Sequence, residues 1–213
     1  MVCNPRMICA LGIVILLSAA LGPTLAVEQQ DVSLPGIMKS FSFRAIGPAR
    51  QNGRVLHVVV NEKDPYNYYI APSTGGFWKT VNNGTTFTSL LPGQSMVPIG
   101  HAAIAPSDPN VLWVGTGDAA SGRIPLRGFG IWKSVDAGNT WTHMGLTETR
   151  HIGRIAIHPK DPNTVYVAAV GYHFSFNAER GLYKTVNGGK TWEKSLFISD
   201  KVGVVDVVID PLN

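Results

Sequence analysis

Side chains able to do chemistry are thinly spread along this chain of 213 residues. Asp118 closes Gly115-Thr116-Gly117-Asp118-Ala119-Ala120, which imitates a dinucleotide loop, but Gly122 and Pro125 forbid the helix that must follow one. Gly189-Lys190-Thr191 imitates the end of a phosphate loop, yet Lys184 stands where its first glycine is required. No serine occupies a Gly-x-Ser-x-Gly elbow. The six histidines lack tight ligand spacing, and His158 takes a turn position held elsewhere by Asn61, Ala105 and Asp210, which reads as structural. The sequence therefore assigns no catalytic residue, no metal ligand and no cofactor. A net charge of +4 is too mild to imply nucleic acid. Asn83-Gly84-Thr85 spells a glycosylation sequon, which matters only in a eukaryotic secretory route.

The elements that must carry these groups follow from composition and repetition. A hydrophobic fraction of 45% excludes a disordered chain, while 23 glycines, 14 prolines and only 15% charged residues favour many short strands and turns. Three eight-residue boxes align: Thr80-Val81-Asn82-Asn83-Gly84-Thr85-Thr86-Phe87, Ser134-Val135-Asp136-Ala137-Gly138-Asn139-Thr140-Trp141 and Thr185-Val186-Asn187-Gly188-Gly189-Lys190-Thr191-Trp192. In phase with them run Asn61-Glu62-Lys63-Asp64-Pro65, Ala105-Pro106-Ser107-Asp108-Pro109 and His158-Pro159-Lys160-Asp161-Pro162, with a broken copy at Asp210-Pro211. Each box predicts a staple: the Asx accepts hydrogen bonds from the turn's own amides, the fifth-position Gly supplies a positive φ, and Phe87, Trp141 or Trp192 inserts between sheets. Four short strands per roughly 50 residues is the pattern of a β-propeller blade.

Residues 1–26 read as a secretory signal: Arg6, the apolar run Met7 to Leu17, then Gly22-Pro23 and a cut after Ala26. Both cysteines, Cys3 and Cys9, fall within it, so the mature chain would rely on core burial without disulfides. The expected order is a signal helix at 1–26, a lead-in or closing strand at 27–52, and blades at 53–91, 99–145 and 152–197. The first strand of a fourth blade is expected at 203–213. The fold class is all-β, a partial propeller of three four-stranded blades. After signal cleavage no stable membrane span is expected, and the location is secreted or periplasmic.

The boxes resemble the Asp-box (BNR) repeat found in sialidases, xyloglucanases and sortilin-type propellers. Phe43-Arg44-Ala45-Ile46-Gly47-Pro48, Gly53-Arg54-Val55, Gly75-Gly76-Phe77-Trp78-Lys79-Thr80 and His151-Ile152-Gly153-Arg154-Ile155 are similar to the start of large exported bacterial proteins with a sortilin-like N-terminal propeller, often labelled glycosyl hydrolases. The likeness covers about residues 41 to 213 and implies a ring of seven or ten blades, so this chain reads as part of a longer one. The resemblance to xyloglucanases implies an acid two places before Gly75-Gly76, where Ser73 stands instead and cannot act as one. Arg123-Ile124-Pro125 matches a sialidase motif in letters but lies in a second-blade loop, past the first box.

Loops that outgrow the repeat are where a repetitive scaffold tends to carry function. Those after the second strands of blades two and three are long and lie on the face opposite the boxes. With the interblade residues they offer Arg54, Arg123, Arg127, Arg154, Arg180, Tyr172 and His173 as a basic, aromatic-edged surface. Such a surface suits a peptide or glycan ligand; alternatively its arginines simply bond neighbouring loops. The leading expectation is a peptide- or glycan-binding interaction module. Its alternatives are the N-terminal part of a glycoside hydrolase whose catalytic carboxylates lie beyond this chain, and an envelope assembly scaffold. The remaining blades of a longer chain are the other expected partner.

Overall fold

The computed structural model describes residues 54–91, 97–120 and 125–210. The signal segment, the lead-in and Arg123 fall outside the described residues. The strands are β1 (Val55–Val60), β2 (Tyr68–Pro72), β3 (Trp78–Thr80), β4 (Thr88–Ser89), β5 (Ile99–Ile104), β6 (Leu112–Thr116), β7 (Ile131–Ser134), β8 (Thr142–His143), β9 (Ile152–Ile157), β10 (Val165–Ala169), β11 (Gly181–Thr185) and β12 (Glu193–Leu196). They form three separate four-stranded sheets, β1-β2-β3-β4, β5-β6-β7-β8 and β9-β10-β11-β12, each an antiparallel meander. One 3-10 turn, Thr147–Thr149, lies between the second sheet and the third.

Apolar side chains collect at the two seams between successive sheets. Tyr69, Phe77 and Leu90 of the first repeat meet Ile99, Leu112 and Val114 of the second. Trp113 and Ile131 of the second meet Ile152, Val165 and Val167 of the third. A sheet covered on both faces must be apolar throughout, and β6, Leu-Trp-Val-Gly-Thr, is buried at every position. In β1, by contrast, every position is exposed or half-buried.

The eight-residue turns hold these sheets in register. In each, the third-position side chain accepts from an amide four residues on: Thr86 N to Asn82 Oδ1 at 2.9 Å, Thr140 N to Asp136 Oδ1 at 2.8 Å and Thr191 N to Asn187 Oδ1 at 3.0 Å. The first-position hydroxyl has a part the sequence reading did not assign it. Thr80, Ser134 and Thr185 each accept from the fifth-position glycine amide, at 2.9, 2.8 and 3.0 Å. Gly84, Gly138 and Gly189 have positive φ as expected, but so does the residue before each, including Ala137 at 55°. The closing indoles reach into the preceding repeat: Trp141 Nε1 donates to Leu90 O at 3.1 Å and Trp192 Nε1 to Met144 O at 2.7 Å. Trp141 stands edge-on to Phe77 and Trp192 edge-on to Trp113.

Among the described residues, 203–210 carry no strand, where the first strand of a further blade is expected. A ladder needs a partner strand, and the backbone bond this segment makes among the described residues is at its start, Val204 N to Ala169 O at 3.1 Å.

The Asp136 carboxyl is held down at about 2 by the Thr140 hydroxyl first, then the Thr140 amide and the Ser134 hydroxyl. A depressed carboxyl stabilises above its unfolded value of 3.8 and loses that contribution as pH falls towards 2. Asn82 and Asn187 fill the same place as amides, with Nδ2 donating to Thr86 Oγ1 and Thr191 Oγ1. Asp136→Asn should therefore fold normally at pH 7 and show a shallower loss of melting temperature below pH 4 than the wild type. Thermal unfolding across the acid range checks this; an unchanged acid limb would refute the role given to Asp136.

Candidate functional site

The eight-residue turns pack on the β1–β2, β5–β6 and β9–β10 turns of their own repeats: Asn83 N donates to Tyr66 O, Ala137 N to Asn110 O and Gly188 N to Asn163 O. That leaves the opposite face to the loops after β2, β6 and β10 and to the segments joining one sheet to the next. There Gly128 N donates to Arg150 O, Val170 N to His151 O and Asn177 N to Asp200 O, each joining a long loop to an inter-sheet segment.

Asp118 opens the loop after β6 and is almost fully buried, at 3% exposure. Its Oδ1 caps the Ala120 amide at 2.9 Å and its Oδ2 pairs with Arg54 Nη2 at 3.1 Å. Arg54 comes from the first repeat, so this pair crosses a seam. Ser73, at the place where the xyloglucanase likeness implies an acid, is buried and its amide donates to Arg54 O at 2.8 Å. Among the described residues the face therefore offers no pair of free carboxylates.

Among the described residues, arginines on this face bond neighbouring segments. Arg127 lies 3.6 Å and Arg150 3.8 Å from opposite oxygens of Glu148. Arg127 also covers the Phe129 ring and Arg150 the Tyr172 ring, at 5.8 and 5.0 Å. Arg180, expected to meet a ligand, is instead buried: its guanidinium donates to Val170 O at 2.7 Å, Ser175 O at 3.1 Å and Tyr172 O. Five fixed donors suit three converging carbonyls better than they suit water, so this side chain shapes the loop from within. Arg154 lies within β9, pairs with Asp206 at 3.6 Å and lines a separate cleft with Pro106, Pro159 and Val207.

What faces solvent is aromatic. Along the loop after β10, Tyr172, Phe174 and Phe176 alternate with polar residues; Phe174 is 67% and Phe176 68% exposed. Lys201 Nζ sits 4.9 Å over the Phe176 ring. Phe174, Phe176 and Lys201, with His173, Ser175 and Arg180, line a cleft of about 300 Å³. His173 stands edge-on to the fully buried His151, centroids 4.7 Å apart. Burial first, then His151 and Arg180, lowers the pKa of His173, while Asp118 pulls it the other way. The sequence reading passed over Phe174, Phe176 and Lys201 as site residues; the period-two alternation of aromatics from 172 to 176 was the available signal.

Histidines also cross the seams on the inner strands. His57 Nε2 donates to Gly100 O at 2.8 Å, and His101 Nδ1 accepts from Ile155 N at 3.3 Å. Burial, then His57 and Arg154, push His101 down to about 3, so it stays neutral and can accept that amide.

No family model matches the chain. It is 28% identical over 157 residues to a probable oligoxyloglucan-reducing end-specific xyloglucanase of Neosartorya fischeri, covering 64% of this chain and 17% of that protein. Among solved structures it is similar to a GH74 enzyme of Niastella koreensis, with a TM-score of 0.55 and 22% identity over 67% of this chain and 22% of that one. A GH74 xyloglucanase of Xanthomonas campestris gives a TM-score of 0.53 and 18% identity over 72% of this chain and 22% of that one. The chain thus spans about a fifth of the length of these relatives, and the structural likenesses show a propeller-like fold.

Arg180→Lys should release the loop, since one ammonium cannot reach three carbonyls. Amide exchange at Asn177 and Val170 should speed up at least tenfold while the ladders of β9 to β11 stay protected; unchanged exchange at Asn177 would contradict the internal role of Arg180.

Proposed function

We propose that this chain is the N-terminal part of an exported Asp-box propeller of glycoside-hydrolase type acting on xyloglucan or a related glucan. In this reading the segment supplies one wall of the glycan cleft, and the catalytic carboxylates lie beyond it. The similarity to xyloglucanases favours this reading over a free-standing peptide- or glycan-binding module. The division of labour follows from the site: Ser73 has no ionisable proton to give, and Asp118 is engaged by Arg54 and the Ala120 amide.

The observation that carries the reading is the exposed pair Phe174 and Phe176 on the loop face, with the half-buried Tyr172 beside them under Arg150 of the Arg150–Glu148–Arg127 network. A pyranose ring presents an apolar face of C–H groups and a rim of hydroxyls. Aromatic rings take the first and fixed charged groups the second. Because the arginines already hold Glu148 or backbone carbonyls, the surface is better matched to a neutral, hydroxyl-rich chain than to a polyanion.

In the full gene product, Phe174→Ala/Phe176→Ala should weaken binding of xyloglucan oligosaccharides at least tenfold, equivalent to about 1.4 kcal/mol. The effect should appear in KM with kcat nearly unchanged, because the rings hold substrate without touching the reacting bond. A protein that neither retains nor hydrolyses xyloglucan, or a double variant with wild-type KM, would overturn the proposal.

A further inference from the structure

The second seam carries a charge arrangement that the first does not, on the face opposite the proposed glycan cleft. At each seam a lysine from the third strand of one repeat reaches to the eight-residue turn of the next. Lys79 Nζ lies 3.5 Å from Ala137 O and 5.5 Å over the Tyr69 ring. Lys133 Nζ lies 3.4 Å from Gly188 O and 5.1 Å over the Trp113 ring. The repeat makes the two seams directly comparable, and the charge differs at two places in the turn. The first seam has Asp136 at the Asx position and Asn139 at the sixth; the second has Asn187 and Lys190. One cation beside one carboxylate becomes two cations beside a neutral amide.

Those two cations line an open groove of about 480 Å³, together with Thr140, Thr142, Asn163 and Asn187. Among the described residues neither Lys133 nor Lys190 is ion-paired. Burial first, and the charge of Lys190 second, lowers the pKa of Lys133, so the two ammonium groups that line this groove repel one another. The carboxylates nearest in sequence to the lining are already engaged. Asp136 is held by Ser134 and by the Thr140 amide and hydroxyl. Asp161 is held by the Thr164 hydroxyl and the Asn163 amide. An ammonium has three donors, and Lys133 spends one on a long bond to Gly188 O.

We propose that this groove between the second and third sheets is a binding site for a dianionic tetrahedral oxyanion, a phosphate or sulfate group, seated between Lys133 and Lys190 with the Thr142 hydroxyl and the Asn163 and Asn187 amides as further donors. The anion relieves the repulsion of the two ammonium groups and completes their hydrogen bonding, which neither water nor a monoanion does as well. Gly189-Lys190-Thr191 takes part without forming a phosphate loop: the second cation comes from a neighbouring strand in place of a glycine-rich cradle.

Calorimetric titration of the full chain with sodium sulfate and sodium phosphate at constant ionic strength tests this, with sodium acetate as the monoanion. Sulfate, phosphate or both should bind saturably at one site per chain, and acetate at least tenfold more weakly. Lys190→Asn, which copies the sixth-position residue of the first seam at an exposed position, should weaken binding at least tenfold, and Lys133→Gln should do the same. Lys79→Gln removes the equivalent charge from the other seam and should leave affinity unchanged. Absence of saturable binding, acetate binding as tightly as sulfate and phosphate, or equal losses in Lys79→Gln and Lys190→Asn would overturn the proposal.

Discussion

The structure depends on one contact made twice: an indole at the end of an eight-residue turn crosses a seam and hydrogen-bonds a backbone carbonyl of the preceding repeat. A short meander of four strands buries too little surface to stand alone, and here β4 and β8 have only two residues each. Stability must come from stacking one sheet on the next, and stacking fixes nothing unless something sets the register. Trp141 and Trp192 do so by joining apolar ring burial to a directional bond, at Leu90 O and Met144 O. The turn that aims each indole is itself rigid, cross-bonded by its first and third side chains and bent by two successive left-handed residues.

Once the sheets are set, each face acquires a different chemistry. The turn face repeats closely, so departures from the repeat stand out there, as Lys190 does against Asn139. The loop face does not repeat at all. Its long loops after β6 and β10 are tied down by buried charge: Asp118 across a seam to Arg54, and Arg180 to three carbonyls of its own loop. Removing solvent from Asp118 and Arg180 costs free energy that their partners must return, and each is accordingly engaged within the fold, while Phe174 and Phe176 stay exposed.

Much of the fold was legible because a repeat writes its hydrogen bonds three times. The Asx acceptors, the fifth-position glycines and the four-strand rhythm all follow from residue types whose local conformational needs are narrow. The inward turn of Arg180 was not legible, since nothing in Glu179-Arg180-Gly181 says whether a guanidinium faces water or three carbonyls. The pairing of Asp118 was not legible for the same reason: its partner, Arg54, lies 64 positions away. The strand expected after residue 203 followed from pattern alone, whereas a ladder needs a second chain segment beside it. The lysine pair escaped because Lys133 and Lys190 sit on different repeats and only the stacking of sheets brings them to one groove.

Trp192→Phe tests the central claim most directly, because it keeps an aromatic ring at the seam and removes only the indole N–H and its fused ring. Denaturant unfolding should show a loss of about 1–3 kcal/mol, the cost of leaving the Met144 carbonyl unpartnered beside a smaller ring. Crosslinking or exchange should place the loosening in the second and third sheets together. A variant as stable as the wild type, with unchanged protection at Met144 and Ile131, would show that the seam is held by something other than the crossing indole.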